Sequence, residues 1–238
     1  MKRIKTHAFP AVLTIICAAL AVCLITPRKV VAVFGPAEAG FTLVIDAGHG
    51  GEDGGAVSVS GQKESELNLA IAKRTEDLAA LLGIRTVMLR KTDISIYSPG
   101  CETLAQKKIS DLKNRVLAVA QAERPLLLSI HQNHFSQEKY RGAQVFYAAS
   151  ARSRQLAEVI QSDIRTALDP GNRRQCKPAE GVYLMEKIPC TGVLVECGFL
   201  SNFAEEQLLQ DPAYQKKLAM TMLRGIALYG KVGDTDEI

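Results

Sequence analysis

The chain reads as an α/β protein: a single three-layer sandwich domain with a mostly parallel sheet of about six strands and helices on both faces. Two observations predict this. Short apolar runs rich in β-branched residues alternate with longer segments whose apolar residues recur at helical spacing, the order expected of strands joined by crossover helices. The 238 residues, 47% of them hydrophobic, suffice to fill one substantial core.

Taken in order, the first strand is expected at Phe41–Asp46, directly before Gly48-His49-Gly50. A helix over Glu64–Leu82 follows, with Leu67, Ile71, Leu78 and Leu82 on one face and Gly83 as its stop. Strands are then expected at Arg85–Leu89, Leu126–His131, Ala143–Tyr147, Val182–Met185 and Val193–Glu196. The remaining helices fall at Leu104–Ala122, Ser153–Leu168 and Pro212–Tyr229, the last opening on Asp211-Pro212, an N-cap with proline at the first helical position.

The amino terminus stands apart. Lys2, Arg3 and Lys5 precede the nearly uncharged stretch Phe9 to Ile25, which Pro27, Arg28 and Lys29 close. This pattern predicts an export signal or membrane anchor over 1–29, with an uncleaved anchor favoured because no small-residue cleavage site follows the apolar core closely. A linker over 30–40, a catalytic domain over 41–230 and a short polar tail over 231–238 complete the organisation.

Charge excludes one class of partner. The formal net charge is +4, but five of the 29 Lys and Arg residues and none of the 25 Asp and Glu residues lie in the first 29 positions. What remains is 24 against 25, so the positive excess belongs to the export segment, and nucleic acid is not an expected partner. The six cysteines include no CxxC pair and read as small buried residues or one incidental disulfide rather than a zinc knuckle.

Residues able to carry chemistry gather at the carboxyl ends of the strands in such folds. His49 follows the first strand, His131 ends another, and Glu196 ends a third. Two imidazoles and a carboxylate suit Zn²⁺. The carboxylate expected to complete the shell is Glu64, which shares the sheet-facing side of its helix with Leu67, Asn68 and Ile71, whereas Glu66 falls on the solvated side. Glu52 competes, because His49-Gly50-Gly51-Glu52 has the HxxE spacing of metallocarboxypeptidases. Glu196 is then free to move protons during attack on an amide, or else it is a structural carboxylate paired with Arg90 or Arg115. The glycines around His49 read as clearance for a bulky polymer, and His134 as a loop or groove residue rather than a ligand.

Four ordered segments carry a resemblance: Val44-Ile45-Asp46-Ala47-Gly48-His49-Gly50-Gly51; Glu64 with Asn68-Leu69; Ser129-Ile130-His131-Gln132-Asn133; and Leu194-Val195-Glu196-Cys197-Gly198-Phe199-Leu200-Ser201-Asn202. Together they resemble the zinc-dependent N-acetylmuramoyl-L-alanine amidases of bacterial cell walls, over roughly Thr42 to Tyr229. The resemblance implies one zinc ion held by His49, Glu64 and His131, with Glu196 as the catalytic residue. It also implies a peptidoglycan substrate, cut at the amide between the lactyl group of N-acetylmuramic acid and L-alanine.

Ala47 and Cys197 depart from the family pattern without removing a metal donor. The short connection from Thr92 to Thr103 leaves no room for the autoinhibitory insertion of division-type amidases, and a small, anchored single domain with Ser129-Ile130-His131-Gln132-Asn133 and Gly142-Ala143-Gln144-Val145-Phe146-Tyr147 resembles the germination-specific, spore-cortex subgroup. There, stem-peptide removal prepares muramic acid for δ-lactam formation by a separate deacetylase. An exported protein facing the wall or the forespore intermembrane space fits that role, and an activating partner protein stays open. The competing functions are a wall-peptide metallocarboxypeptidase and a non-catalytic peptidoglycan-binding protein.

Overall fold

The computed structural model describes residues 40–233. The expected export segment and linker, and residues 234–238 of the tail, lie outside the described residues. Among the described residues no helix is long and apolar enough to cross a membrane.

Six strands form one sheet: β1 (Thr42–Ala47), β2 (Thr86–Met88), β3 (Pro125–Asn133), β4 (Gln144–Tyr147), β5 (Lys177–Pro178) and β6 (Thr191–Phe199), in the order β2-β1-β3-β6-β4-β5. All neighbouring pairs are parallel except β4 with β6. The helices are α1 (Glu64–Leu81), α2 (Leu104–Gln121), α3 (Ala151–Asp163), α4 (Tyr183–Lys187), α5 (Phe203–Gln210) and α6 (Pro212–Gly233).

Alternation along the central strands divides the core in two. Leu43, Ile45 and Ala47 of β1, Leu126, Leu128 and Ile130 of β3, and Val193 and Val195 of β6 pack under α1, α3 and α6, with Ile71, Ile160 and Met222 completing that layer. Val44, Leu127 and Leu194 face the other way, against Val119 of α2 and Leu184 and Met185 of α4. Continuing the same parity, Asp46, Ser129, His131 and Glu196 share the second face. Apolar burial thus holds the three strands whose carboxyl ends carry the candidate chemistry.

Three local expectations are corrected. Val182–Met185 is not a strand: Val182 caps α4, and Glu186 accepts from the Gly181 amide at 2.8 Å, turning the short apolar run into one helical turn that buries Leu184 and Met185. The strand beyond β4 is instead the exposed pair Lys177–Pro178, which has no hydrophobic pattern to announce it. α5 went unread, although Asn202 accepting from the Glu205 amide at 3.1 Å is an ordinary N-cap. The span expected as a single helix to Leu168 ends instead in a five-residue π turn, Ile164–Leu168, closed by the Asp169 amide on the Ile164 carbonyl at 2.8 Å.

Candidate active site

The loop after β1 runs through left-handed backbone that most side chains disfavour. His49 has φ 61°, Gly50 φ 140° and Gly51 φ 59°, so the chain enters the positive-φ region at the imidazole itself. Two buried arginines hold this turn. Arg90 donates to the carbonyls of Ala47, Gly48, Ser65 and Thr92 at 2.7–3.0 Å. Arg115 donates to the Ala47 and His49 carbonyls at 3.0 and 2.7 Å and pairs with Asp46 and Asp111. Both guanidiniums are therefore committed elsewhere, and neither neutralises Glu196.

Glu64 is the first residue of α1, where a carboxylate is favoured by the helix dipole. Its Oε2 accepts from the Ala56 amide at 3.0 Å and its Oε1 from the Gln132 amide at 3.1 Å and Asn68 Nδ2 at 3.3 Å. Both histidines converge on it: Nδ1 of His131 lies 3.0 Å from Oε1, and Nε2 of His49 lies 3.4 Å from Oε2. Burial works against the ionised form of Glu64, but the bonds and charges of the two histidines outweigh it and hold the carboxyl far below its usual range. A register irregularity between His131 and Asn133 of β3 sits where His131 turns towards Glu64.

Donor atoms of His49, Glu64 and His131 all lie within 4.8 Å of one another, so the three residues could hold a metal ion. Glu52 does not join them. Its exposed carboxylate accepts from Lys107 Nζ at 2.6 Å and Tyr97 hydroxyl at 3.2 Å, which removes the HxxE arrangement. Glu66 is exposed, as its helical position predicts, and so is His134. Cys101, Cys176, Cys190 and Cys197 carry free thiols.

Glu196 pairs in register with His131 on one side and with Gln144 on the other, so its carboxylate stands on the same face as the His131 ring. Its Oε2 is buried without a hydrogen-bond partner. Loss of solvent pushes its pKa from 4.5 up to about 7, the nearby Glu64 charge adding to the rise and the histidines opposing it.

Two glycines make room for side chains of the candidate site, Gly48 beside His49 and Gly55 further along the loop. A Cβ on Gly48 would lie 2.2 Å from the His131 ring, and one on Gly55 would lie 2.6 Å from the Glu64 carboxylate and 2.8 Å from the His49 ring. They admit the side chains of the candidate metal site. Sequence reasoning also missed Asp53, whose Oδ2 lies 3.0 Å from Nδ1 of His49. Its spacing of four from His49, inside a glycine-rich loop, was the available signal. The bonds to Asp53 and Glu64 outweigh the effect of burial and push the His49 pKa up to about 9.

Comparison with known proteins agrees with this geometry. Residues 43–228 match the family model described as N-acetylmuramoyl-L-alanine amidase. The germination-specific N-acetylmuramoyl-L-alanine amidase of Bacillus subtilis is 37% identical over 193 residues, covering 80% of each chain. The amidase AmiA of Escherichia coli is 28% identical, covering 79% of this chain and 75% of its own. Among solved structures, the CwlD amidase from Clostridioides difficile, in complex with the GerS lipoprotein, superposes with a TM-score of 0.78 at 37% identity, over 81% of this chain and 99% of that one. With a family match across nearly all described residues and a relative 37% identical over 80% of each chain, the chain belongs to the N-acetylmuramoyl-L-alanine amidase family.

Proposed function

We propose that this protein is a zinc-dependent peptidoglycan amidase that hydrolyses the bond between the lactyl group of N-acetylmuramic acid and L-alanine of the stem peptide. The observation that carries the reading is the convergence of His49, Glu64 and His131 within 4.8 Å, on the strand edge that also bears Glu196. Two neutral imidazoles and one carboxylate suit zinc with a coordination position left open. Bound by these residues, zinc would supply Lewis-acid polarisation of the amide carbonyl and make water more acidic.

The chain's own residues account for the remaining steps. Asp53 fixes the His49 tautomer by holding Nδ1, which leaves Nε2 for the metal. Glu196 takes a proton from the attacking water and returns it to the alanine nitrogen as the amide breaks. Burial raises the pKa of this carboxyl in the metal-free protein, the direction that favours holding a proton for return to the leaving nitrogen. No hydrogen bond has to be broken first at its Oε2.

The germination-specific relative supports a role in spore-cortex maturation, in which removal of stem peptides leaves muramic acid for δ-lactam formation by a separate deacetylase. The basic and apolar amino terminus supports export, with the domain anchored and facing the wall or the forespore intermembrane space. The lipoprotein complex of the Clostridioides difficile neighbour supports a search for an activating partner.

Digestion of vegetative and cortex-type peptidoglycan with the purified protein, with and without a chelator, tests the assignment. Release of intact stem peptides beginning with L-alanine, stopped by chelation and restored by zinc, is the expected result. Release of C-terminal residues alone would instead support a carboxypeptidase, and sedimentation with peptidoglycan without soluble product would support a binding protein.

A further inference from the structure

A cavity of about 360 Å³ lies before the start of β4 and is lined by Lys139, Tyr140, Arg141, Asp169, Arg173 and Arg174. Four cations face one carboxylate there. Arg141 pairs with that carboxylate, Asp169, at 3.4 Å. Among the described residues Lys139, Arg173 and Arg174 form no ion pair with an acidic side chain. The Glu205 carboxylate, whose charge acts on Arg174, accepts from the amides of Gly142 at 2.8 Å and Phe199 at 2.9 Å.

Arg174 is positioned rather than loose. Its Nε donates to the Arg141 carbonyl at 2.7 Å, one terminal nitrogen donates to Gln144 Oε1 at 2.9 Å, and its guanidinium lies 4.4 Å over the Phe199 ring. Tyr140 stacks on the same ring, with centroids 6.4 Å apart, and Lys139 lies 5.4 Å over Tyr140. These contacts link the cavity to the chemistry. Gln144 is the register partner of Glu196, and Phe199 stands three residues beyond Glu196 on β6.

We propose that this cavity binds the free carboxylate of the residue that follows L-alanine in the stem peptide, so that the enzyme reads the peptide as well as the bond it cuts. The inference rests on the amidase reading of the site. Strands lie about 4.8 Å apart, and Arg174 is one hydrogen bond beyond the strand next to Glu196. Two extended residues span about 7 Å, a comparable reach from the scissile amide. D-glutamate at the second stem position is joined onward through its side chain, which leaves its α-carboxylate beside the peptide. A planar guanidinium fork held in place, with further cations at its rim, suits such a group.

The test uses two muramyl dipeptides, N-acetylmuramyl-L-Ala-D-Glu and its α-amide, N-acetylmuramyl-L-Ala-D-isoGln. Binding of each to the zinc-loaded full chain carrying Glu196→Gln is measured by calorimetry. The carboxylate form is expected to bind about tenfold more tightly. Adding Arg174→Gln, which removes the held fork, together with Lys139→Gln and Arg173→Gln at the exposed rim, is expected to bring the two affinities to within about twofold. Equal affinities in the parent, no binding of either probe, or a preference that survives the added substitutions would overturn the proposal. Turnover by the wild-type chain is scored separately, and its absence would count against the amidase reading while leaving the calorimetric comparison to decide the subsite.

Discussion

Oδ2 of Asp53 lies 3.0 Å from Nδ1 of His49, four residues earlier in the same loop. The ring is thereby held at one nitrogen by a carboxylate outside the donor cluster while its other nitrogen faces Glu64. An outer carboxylate of this kind both orients a metal-binding imidazole and raises its basicity.

Asp53→Asn is therefore expected to weaken zinc binding by about 10- to 100-fold with the fold retained. Competition with a chromophoric chelator measures this. An unchanged affinity would leave Asp53 with the loop contacts alone, to the Gly55 amide and Lys108.

Glu196 and Glu64 should separate cleanly. Glu196→Gln is expected to lower the rate of stem-peptide release by about 10²- to 10⁴-fold while bound zinc stays at one per chain. Glu64→Ala is expected to lose the metal. Metal analysis beside a peptide-release assay distinguishes the two outcomes, and a fully active Glu196→Gln protein would remove the proposed proton carrier.

The raised pKa of Glu196 predicts a pH-dependent stability in the metal-free protein. A carboxyl that titrates at about 7 when folded and near 4.5 when unfolded binds more protons in the folded state between those values. Stability is thus lost as pH rises through that window. Glu196→Gln should remove the loss, making the chelated variant more stable than chelated wild type at pH 8, by on the order of 3 kcal/mol, and little different near pH 4.5. Denaturant melts at the two pH values read the difference.

Gly48→Ala is expected to displace His131, since the new Cβ would meet the ring at 2.2 Å. Overpacking of this kind costs about 1–3 kcal/mol. The diagnostic reading is a fall in zinc affinity accompanying the fall in melting temperature. Normal metal binding in Gly48→Ala would show that the ring can be seated elsewhere.

Arg115→Met should be the most destabilising of these changes, by about 3–5 kcal/mol, because it leaves Asp46 and Asp111 charged and unpaired in the interior. Adding Asp46→Asn and Asp111→Asn should recover part of the loss. Chemical denaturation of the single and triple variants tests this.

The sequence carried the central architecture because long, strongly periodic segments announce themselves. Glu64, Leu67 and Ile71 could be placed on the sheet side of α1 from spacing alone, and the ends of β1, β3 and β6 delivered His49, His131 and Glu196. Legibility failed where the pattern was short or made by a single contact. Val182–Met185 has the composition of a buried strand, but the Glu186 and Ile188 amides bond the Val182 and Leu184 carbonyls, and the Glu186 carboxylate accepts from the Gly181 amide, in a helical turn. The choice between Glu64 and Glu52 likewise depended on Lys107, 55 residues further along the chain from Glu52, which no local pattern relates to the loop. The glycines were recognised as spacers, but what occupies the space they leave is a tertiary fact.

Along β3, Leu126, Leu128 and Ile130 enter one core layer while Leu127, Ser129 and His131 face the other side. Core and candidate metal donor therefore share one counting frame. Insertion or deletion of a single residue between Leu126 and His131 would exchange the two sets, placing an imidazole among aliphatic side chains and withdrawing a ligand from Glu64. Substitutions can accumulate on this strand one at a time, but changes in its length cannot, so the distance in residues from the first buried leucine to the histidine is as much a part of the catalyst as the imidazole.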